Sequence, residues 1–319
     1  MKKDTLARCA DAGGKYCPCH LAYSGDCIQC PVIRGSDTCN CMWQGVCIYN
    51  ELSKGKYVPR NNRVETICKI ENVKNLGDDT YIVKIKVPET LINDLLTPGA
   101  YILLKNIDKE SDVFNAPISV MDVDEKQSML EVVIKQRGIK TKGIATSKEI
   151  KLKGVYFNGV FGLKQIKTSN NSNSVVILNG LSQVNSLNVI RRLLHNKNKV
   201  DVFIDENAII LEEIIDKINK LNVNIYTLDL KKDRNYVLDY IKRNNVELVY
   251  SAGSNRFSNY IRKIVDEVDE NIKFVISNNN LICCGEGICG ACTVRVNNEK
   301  IKTCKAQVDA RDFLKSQIL

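Results

Sequence analysis

The chain has 319 residues, 44% of them hydrophobic, which is enough apolar content for roughly two or three domains with cores of their own. Its formal charge of +9 would suit an anionic partner, but the lysines are scattered, without a dense basic run or interleaved aromatics, so nucleic-acid binding is not expected. No apolar run reaches the roughly 18 residues of a spanning helix, and Met1-Lys2-Lys3-Asp4 leads into no apolar stretch, so neither membrane insertion nor a secretory signal is expected.

Residues 1–60 are set apart by their thiols: Cys9, Cys17, Cys19, Cys27, Cys30, Cys39, Cys41 and Cys47, joined by short polar spacers rich in glycine. Such a segment cannot build an apolar core and needs a staple. The chain carries fourteen cysteines, and disulfide scaffolds belong to short secreted domains, so the expectation is metal or redox chemistry in a reducing compartment, read as the cytoplasm. Eight thiols suffice for two [4Fe-4S] clusters or for one cluster plus zinc, with His20 as a candidate imidazole ligand. The spacings do not reproduce the two-cluster ferredoxin run, so an iron–sulfur cluster is the first reading and zinc the second. Trp43 is expected to pack over the site.

Residues 61–167 change texture. Val64–Val73, Thr80–Val87, Tyr101–Lys105, Ile118–Val123 and Met129–Lys135 are β-type runs, separated by turns such as Gly77-Asp78-Asp79 and Thr97-Pro98-Gly99. That spacing predicts a small antiparallel barrel, with Cys68 as a buried small hydrophobe.

Residues 168–278 begin with a polar stretch, Thr168-Ser169-Asn170-Asn171-Ser172-Asn173-Ser174, which reads as an interdomain connection. Strands Val175–Leu178, Val200–Ile204, Val223–Tyr226, Leu248–Ser251 and Phe274–Ser277 then alternate with helices Val184–His195, Ile209–Lys220, Asp233–Asn244 and Phe257–Val268. The alternation predicts an α/β domain with a doubly wound parallel sheet, whose ligands bind beyond the C-terminal ends of the strands.

Residues 279–319 carry the most specific motif, Cys284-Gly285-Glu286-Gly287-Ile288-Cys289-Gly290-Ala291-Cys292, closed by Cys304. Cys-x4-Cys-x2-Cys with a later fourth cysteine is the plant-type spacing for a [2Fe-2S] cluster. The interleaved glycines let a loop bring backbone N–H groups to the sulfurs. Structural zinc and disulfides are the competing readings, but only the Cys289/Cys292 pair has zinc-type spacing. Cys283 reads as a spare thiol. No hydrolytic constellation competes, since His20 and His195 are the only histidines, and no catalytic residue is assigned.

A barrel, a nucleotide-binding type of sheet and this cysteine loop, in that order, resemble the electron-transfer subunits of dihydroorotate dehydrogenase-like proteins. These belong to the ferredoxin reductase-like FAD/NAD-binding iron–sulfur flavoproteins, and the resemblance covers about residues 63–319. It implies FAD against Ala116-Pro117-Ile118-Ser119, where the family carries an Arg-Pro-Ile-Ser segment; Asn115 or Ala116 stands in place of the arginine. It further implies that Lys140 and Thr141 face the flavin phosphates, with Lys140 or Arg137 supplying the missing positive charge. Asn158-Gly159 corresponds to the segment that closes the flavin barrel. Gly180 is what survives of the family's glycine-rich loop after the first strand, and Ala252-Gly253-Ser254 replaces its Cys-Gly-Pro segment, so NAD(P)H binding stays open. The implied function is electron transfer between NAD(P)H or a protein donor, FAD, the [2Fe-2S] cluster and a catalytic oxidoreductase subunit or ferredoxin-like carrier, in a hetero-oligomer. The alternatives are an adaptor with a vestigial nicotinamide site and a metal-binding, redox-responsive interaction protein.

Overall fold

The computed structural model describes residues 8–41, 43–55, 63–107 and 115–317; Phe114, the first residue of the segment aligned with the flavin motif, lies outside them. The N-terminal segment holds little regular structure: strand β1 (Arg8–Cys9) and the short helices α1 (His20–Tyr23) and α2 (Ile48–Lys54). Its small core is partly made of thiols, with Cys27 and Cys30 buried beside Ala22 and Ile48.

Strands β2 (Glu65–Gly77), β3 (Thr80–Lys86), β4 (Tyr101–Asn106), β5 (Ala116–Asp124), β6 (Met129–Lys135) and β7 (Glu149–Tyr156) close an antiparallel barrel in the order β2-β3-β6-β5-β4-β7, with helix α3 (Ile92–Leu95) between β3 and β4. Alternation drives each strand: Leu130, Val132 and Ile134 of β6 point inward to meet Ile102 and Leu104 of β4. Asp78 and Asp79, both at positive φ (46° and 51°), make the two-residue β2–β3 turn whose twist suits a hairpin. The sequence reading finds five of these strands and misses β7. There Ile150 and Leu152 alternate with lysines, so the inward-facing half is short, yet pairing with both β2 and β4 makes this strand the one that closes the barrel.

The second sheet starts before the polar stretch. Strand β8 (Val160–Phe161) and helix α4 (Leu163–Thr168) lead into β9 (Asn173–Leu178), and the chain continues through α5 (Ser186–His195), β10 (Lys199–Asp205), α6 (Glu212–Asn219), β11 (Asn224–Leu228), α7 (Arg234–Arg243), β12 (Val246–Ala252), α8 (Asn255–Val268) and β13 (Lys273–Ser277). The sheet order is β11-β10-β9-β12-β13-β8, parallel except for β8, and the winding reverses between β9 and β12. Helices α5 and α6 pack on one face through Leu187, Ile190 and Ile214, joined by Met121 of the barrel, while α7 and α8 cover the other through Val237 and Ile261. The polar connection proves to be a stapled turn: Ser169 and Ser172 are buried, Ser172 Oγ donates to Asn198 Oδ1 (2.7 Å) and Asn198 Nδ2 donates to the Ser169 carbonyl (2.9 Å). Polar composition read as looseness here, where serines and asparagines satisfy one another. Asp122 of β5, bonded to Arg191 of α5 (2.7 Å) and Lys217 of α6 (2.6 Å), ties barrel to sheet.

After the cysteine loop, β14 (Thr293–Val296) and β15 (Glu299–Lys302) form a hairpin, β16 (Ala306–Gln307) pairs with β1, and α9 (Ala310–Ser316) docks Phe313 against Phe161. The β1–β16 pair brings the two ends of the chain together. Behind it lie four buried charges. Asp11 accepts from Arg63 (2.8 Å) and Lys305 (2.6 Å), while Glu286 accepts from Lys305 (2.9 Å) and Arg63 (3.5 Å), and no side chain of the four is more than 10% exposed. The Arg63 guanidinium also lies 3.9 Å from the Tyr16 ring centroid and 4.3 Å from that of Tyr156. Burial alone would raise both carboxyl pKa values, yet the two cations outweigh it and hold Asp11 and Glu286 below the ordinary carboxylate range. Their stabilisation is therefore present at neutral pH and is lost as the pH falls through the lowered values.

Removing one member leaves a buried charge without its partner. Lys305→Met should cost about 3–5 kcal/mol, read as a lower denaturant midpoint together with earlier proteolytic release of the N-terminal segment. A midpoint equal to wild type would show that the four charges do not act as a unit.

Candidate functional site

The loop over residues 284–292 is shaped by glycines that have no alternative. Gly285 (φ 68°) lies so close to Tyr156 that a Cβ would come within 2.5 Å of its ring, and a Cβ on Gly287 (φ 75°) would come within 2.8 Å of Leu21. The turn that results aims amides at sulfur. The Cys304 thiol and the N–H groups of Cys289, Glu286 and Ile288 all bond the Cys284 sulfur, holding that thiol down to about 4 despite partial burial. Cys292 Sγ lies 3.2 Å from Cys304 Sγ, and the same bond lowers Cys292 to about 6, while Cys304, hydrogen-bonded to both, is pushed up. Three sulfurs thus converge and two of them favour the thiolate. Cys289 is exposed, and its thiol pairs with that of Cys283.

This loop seats on the outer face of the barrel. Tyr101, Leu103 and Tyr156 pack with Ile282, Cys292 and Cys304, and the Tyr101 and Tyr156 rings stack at 5.2 Å. Tyr156 Oη donates to Glu286 Oε1 at 3.0 Å. In the β4–β5 ladder Leu103 lies opposite Pro117 and Tyr101 opposite Ser119, so Pro117 and Ser119 share the face that carries the cysteine loop, while Ala116 and Ile118 point into the barrel. Lys140, half-buried in the loop after β6, sets its charge against the Cys283 thiol, and Thr141 follows it in the turn closed by the Thr141 N–H to Gly138 carbonyl bond (3.1 Å). Asn158 is fully buried, its amide donating to the carbonyls of Thr303 (2.6 Å) and Ala306 (2.9 Å), and the Gly159 N–H donates to the Gly99 carbonyl (2.9 Å). Asn158 fastens the C-terminal segment to the end of the barrel, and Gly159 ties that end to the loop before β4.

Gly180 (φ 59°) sits at the end of β9, at the point where the sheet reverses, and the turn it opens rests on β5. That turn is filled by its own side chains. Buried Gln183 donates to the carbonyls of Gly180 and Ile209 (both 2.8 Å) and accepts from the Leu211 N–H (3.0 Å). Asn179 donates to Asp205 at 2.7 Å, and Asn185 accepts from Tyr250 Oη at 2.5 Å. Opposite, Gly253 is covered by Phe257, whose ring would lie 2.3 Å from an added Cβ.

Of the N-terminal thiols, Cys9, Cys17, Cys19 and Cys27 line one small cavity. Cys30 is buried next to Cys27, Cys41 accepts from the Trp43 N–H (3.3 Å), and Cys39, Cys47 and His20 are exposed. Trp43 lies over Gly13 and Gly45, where added Cβ atoms would meet its ring at 2.6 and 2.3 Å. Among the described residues no group of three or more His, Cys, Asp and Glu side chains is arranged to hold a metal ion.

A [2Fe-2S] cluster takes two thiolates on each iron; Cys284, Cys292 and Cys304 already face one another, and Cys289, bonded to Cys283, would complete the set by turning from that partner. The loop fits that group on two counts: amides already directed at Cys284, and an orphan donor. Tyr101, 2% exposed in the packing around Cys292 and Cys304, has no partner for its hydroxyl among the described residues. A sulfur acceptor would satisfy it. Sequence reasoning identifies the cysteines but not Tyr101, Arg63 or Asp11, which carry no motif; Tyr156 is visible only as part of the barrel-closing segment over residues 154–159, and Lys305 and Glu286 only as neighbours of the ligand positions.

No family model matches the chain. An uncharacterized protein encoded in the adh 3' region of Clostridium beijerinckii is 24% identical over 267 residues, spanning 77% of this chain and 84% of its own length. The dihydroorotate dehydrogenase B (NAD(+)) electron transfer subunit of Fusobacterium nucleatum subsp. nucleatum is 24% identical over 242 residues, spanning 72% of this chain and 88% of its own length. Among solved structures, an NADH-dependent reduced ferredoxin-NADP oxidoreductase studied for flavin-based electron bifurcation superposes with a TM-score of 0.60 at 16% identity, over 79% of this chain and 92% of the other. The CS-b5R domains of human Ncb5or, in the NAD+ form, give a TM-score of 0.52 at 11% identity, over 69% and 72% of the two chains. These likenesses confirm the expected fold, a ferredoxin reductase-like barrel followed by a parallel sheet. Of these proteins, one is named as an electron transfer subunit and one as an oxidoreductase. Among the described residues, no helix is long and apolar enough to cross a membrane.

The orphan hydroxyl gives a test that needs no activity. In metal-free protein Tyr101→Phe should raise stability by about 1 kcal/mol, because a buried unpaired donor is removed. A loss of stability on thermal or denaturant unfolding would mean that the hydroxyl is already bonded.

Proposed function

We propose that this chain is an iron–sulfur flavoprotein of the electron-transfer class, carrying FAD on the barrel and a [2Fe-2S] cluster at Cys284, Cys289, Cys292 and Cys304. The observation that carries the reading is a juxtaposition: the β4–β5 face bearing Pro117 and Ser119 is the face on which the cysteine loop is seated. When bound, a flavin and a [2Fe-2S] centre together couple two-electron to one-electron transfer.

The chain's own residues supply the rest. Pro117 and Ser119 would orient the flavin along the barrel wall, and Lys140 and Thr141 would meet its phosphates, a cation being the suited partner for a pyrophosphate. Tyr101 and Tyr156 exclude water between barrel and loop, and Glu286 is held by Lys305 and Arg63 so that the loop keeps its shape. The backbone amides around Cys284 stabilise negative charge on sulfur. The N-terminal thiols supply a further metal site, with iron–sulfur the first reading and zinc the second. A catalytic oxidoreductase subunit or a ferredoxin-like carrier is the proposed partner, in a hetero-oligomer working in the cytoplasm. Leu281 and Ile288, 81% and 63% exposed on and beside the cysteine loop, suit such a contact.

A second reading, an electron adaptor with a vestigial nicotinamide site, is favoured by Gln183 and Phe257. A dinucleotide site needs a loop that lets pyrophosphate reach the helix N-terminus. Here the Gln183 amide spans that loop and Phe257 closes over Gly253.

Cys289→Ser should abolish the [2Fe-2S] spectroscopic signal in anaerobically purified protein while acid-extractable FAD remains; an unchanged signal sinks the ligand assignment. For the nicotinamide, stopped-flow reduction of the bound flavin should be slow with NADH or NADPH compared with a reduced protein donor. Rapid bleaching at micromolar NADH would restore a full reductase and overturn the adaptor reading.

A further inference from the structure

The structure does not treat the eight N-terminal thiols alike. Cys9 from β1, Cys17 and Cys19 from the turn entering α1, and Cys27 from the loop after it line a single small cavity, reached from three separate stretches of chain. Its remaining walls are largely apolar, formed by Leu21, Ile28 and Ile48 among others. Amides point at three of the four sulfurs: Asp11 N–H at Cys9, Gly13 N–H at Cys17, and the N–H groups of Cys30 and Gln29 at Cys27. These are the donors that stabilise ligating thiolates. None of the four is in a disulfide. They line a common cavity and do not pair off into bonds with one another. Zinc draws its sulfurs to about 2.3 Å from one centre, whereas in a four-iron cluster each iron takes one thiolate and the sulfurs ring a larger body.

The cavity also has a neighbour. Leu21, one of its walls, is the side chain that lies against Gly287 of the C-terminal cysteine loop, 2.8 Å from where a Cβ would be. Asp11, another wall, bonds Lys305, the residue after Cys304. We infer that Cys9, Cys17, Cys19 and Cys27 hold a cubane-type iron–sulfur cluster, and that one side chain, Leu21, separates it from the C-terminal cysteine loop. Cys39, Cys41 and Cys47 lie outside this centre. Its role as a relay rests on the electron-transfer reading above; the centre itself does not.

The test uses the full chain, purified anaerobically and reconstituted with ferrous iron and sulfide, with iron, sulfide, zinc and flavin measured and paramagnetic spectra taken after dithionite reduction. Wild type should show a second cluster signal beside that of the C-terminal loop, with the fully reduced spectrum broadened by spin coupling between the two. Cys27→Ser should lose the second signal, its iron and the broadening, and keep the C-terminal signal. Cys17→Ser, at a partly exposed position, should do the same and decides the matter if Cys27→Ser folds poorly. Cys39→Ser should match wild type. Full iron and both signals in Cys17→Ser and Cys27→Ser overturn the assignment, as does loss of the second signal in Cys39→Ser. A stoichiometric zinc ion that Cys17→Ser releases, with no second iron signal, overturns the cluster. Two uncoupled signals overturn the adjacency across Leu21. Absence of flavin with the second signal intact would defeat the flavoprotein reading and leave this centre standing.

Discussion

The seating of the C-terminal cysteine loop against the barrel and the N-terminal segment depends on four charges buried together. Asp11, Arg63, Glu286 and Lys305 come from the N-terminal segment, the entry to the barrel and the two ends of the C-terminal cysteine region, and they bond one another inside. Each ion alone would lose several kcal/mol of hydration on burial, which only close, multiple partners can offset. Two cations alternate with two anions, so the set is neutral, and each charge is held by both opposite partners. An arrangement of that kind tolerates no missing member. It therefore acts as a joint: if the N-terminal segment leaves, Arg63 and Lys305 lose Asp11, and if the cysteine loop opens they lose Glu286, in either case leaving two buried cations to one anion.

The joint explains why the parts that matter chemically are neighbours. Lys305 is fixed by Asp11 and Glu286, and this places Cys304 beside Cys292 under the Tyr101–Tyr156 stack. Tyr156 in turn bonds Glu286 and presses on Gly285, so the loop's glycine, its carboxylate and the barrel wall define one another. The strand register then sets Pro117 and Ser119 on the same wall. Proximity between the Pro117–Ser119 segment and the cysteine loop is thus a property of packing across chain segments, whereas the motifs themselves say only which chemistry each segment suits.

That distinction marks what could be read from the sequence. The β-α alternation after Val175 is local, carried by periodicity within each element, and the sheet follows it closely; five barrel strands were visible for the same reason. Strand β7 was missed because half of its pattern is lysine, and its place is fixed by pairing with β2 and β4, strands distant in sequence. The stapled turn at Ser169–Ser172 looked like a linker because composition cannot reveal that Asn198 lies opposite. Asp11 and Lys305 are 294 residues apart. No spacing rule connects them, and neither does one divide eight thiols into the four that line a cavity and the four that do not. Cysteine spacing reports ligand chemistry, while partition among sites is decided by tertiary contacts.

The same reasoning separates the two faces of the ferredoxin reductase-like fold in this chain. A fold is kept by its cores, and the sheet retains full cores on both faces. Its ligand-binding edge is another matter, since function resides in sites rather than in folds. At that edge Gln183 bridges the turn after β9 to the loop before α6, Asn179 is engaged with Asp205, and Phe257 covers Gly253. At the barrel's other boundary the opposite holds: a buried hydroxyl on Tyr101 lacks a partner, amides converge on Cys284, and a thiol-lined cavity adjoins the loop across Leu21. The sheet's edge is thus closed over its own side chains at Gln183 and Asn179, whereas the buried Tyr101 hydroxyl beside Cys292 and Cys304 lacks a partner among the described residues, and that contrast sets the edge apart from the cysteine boundary.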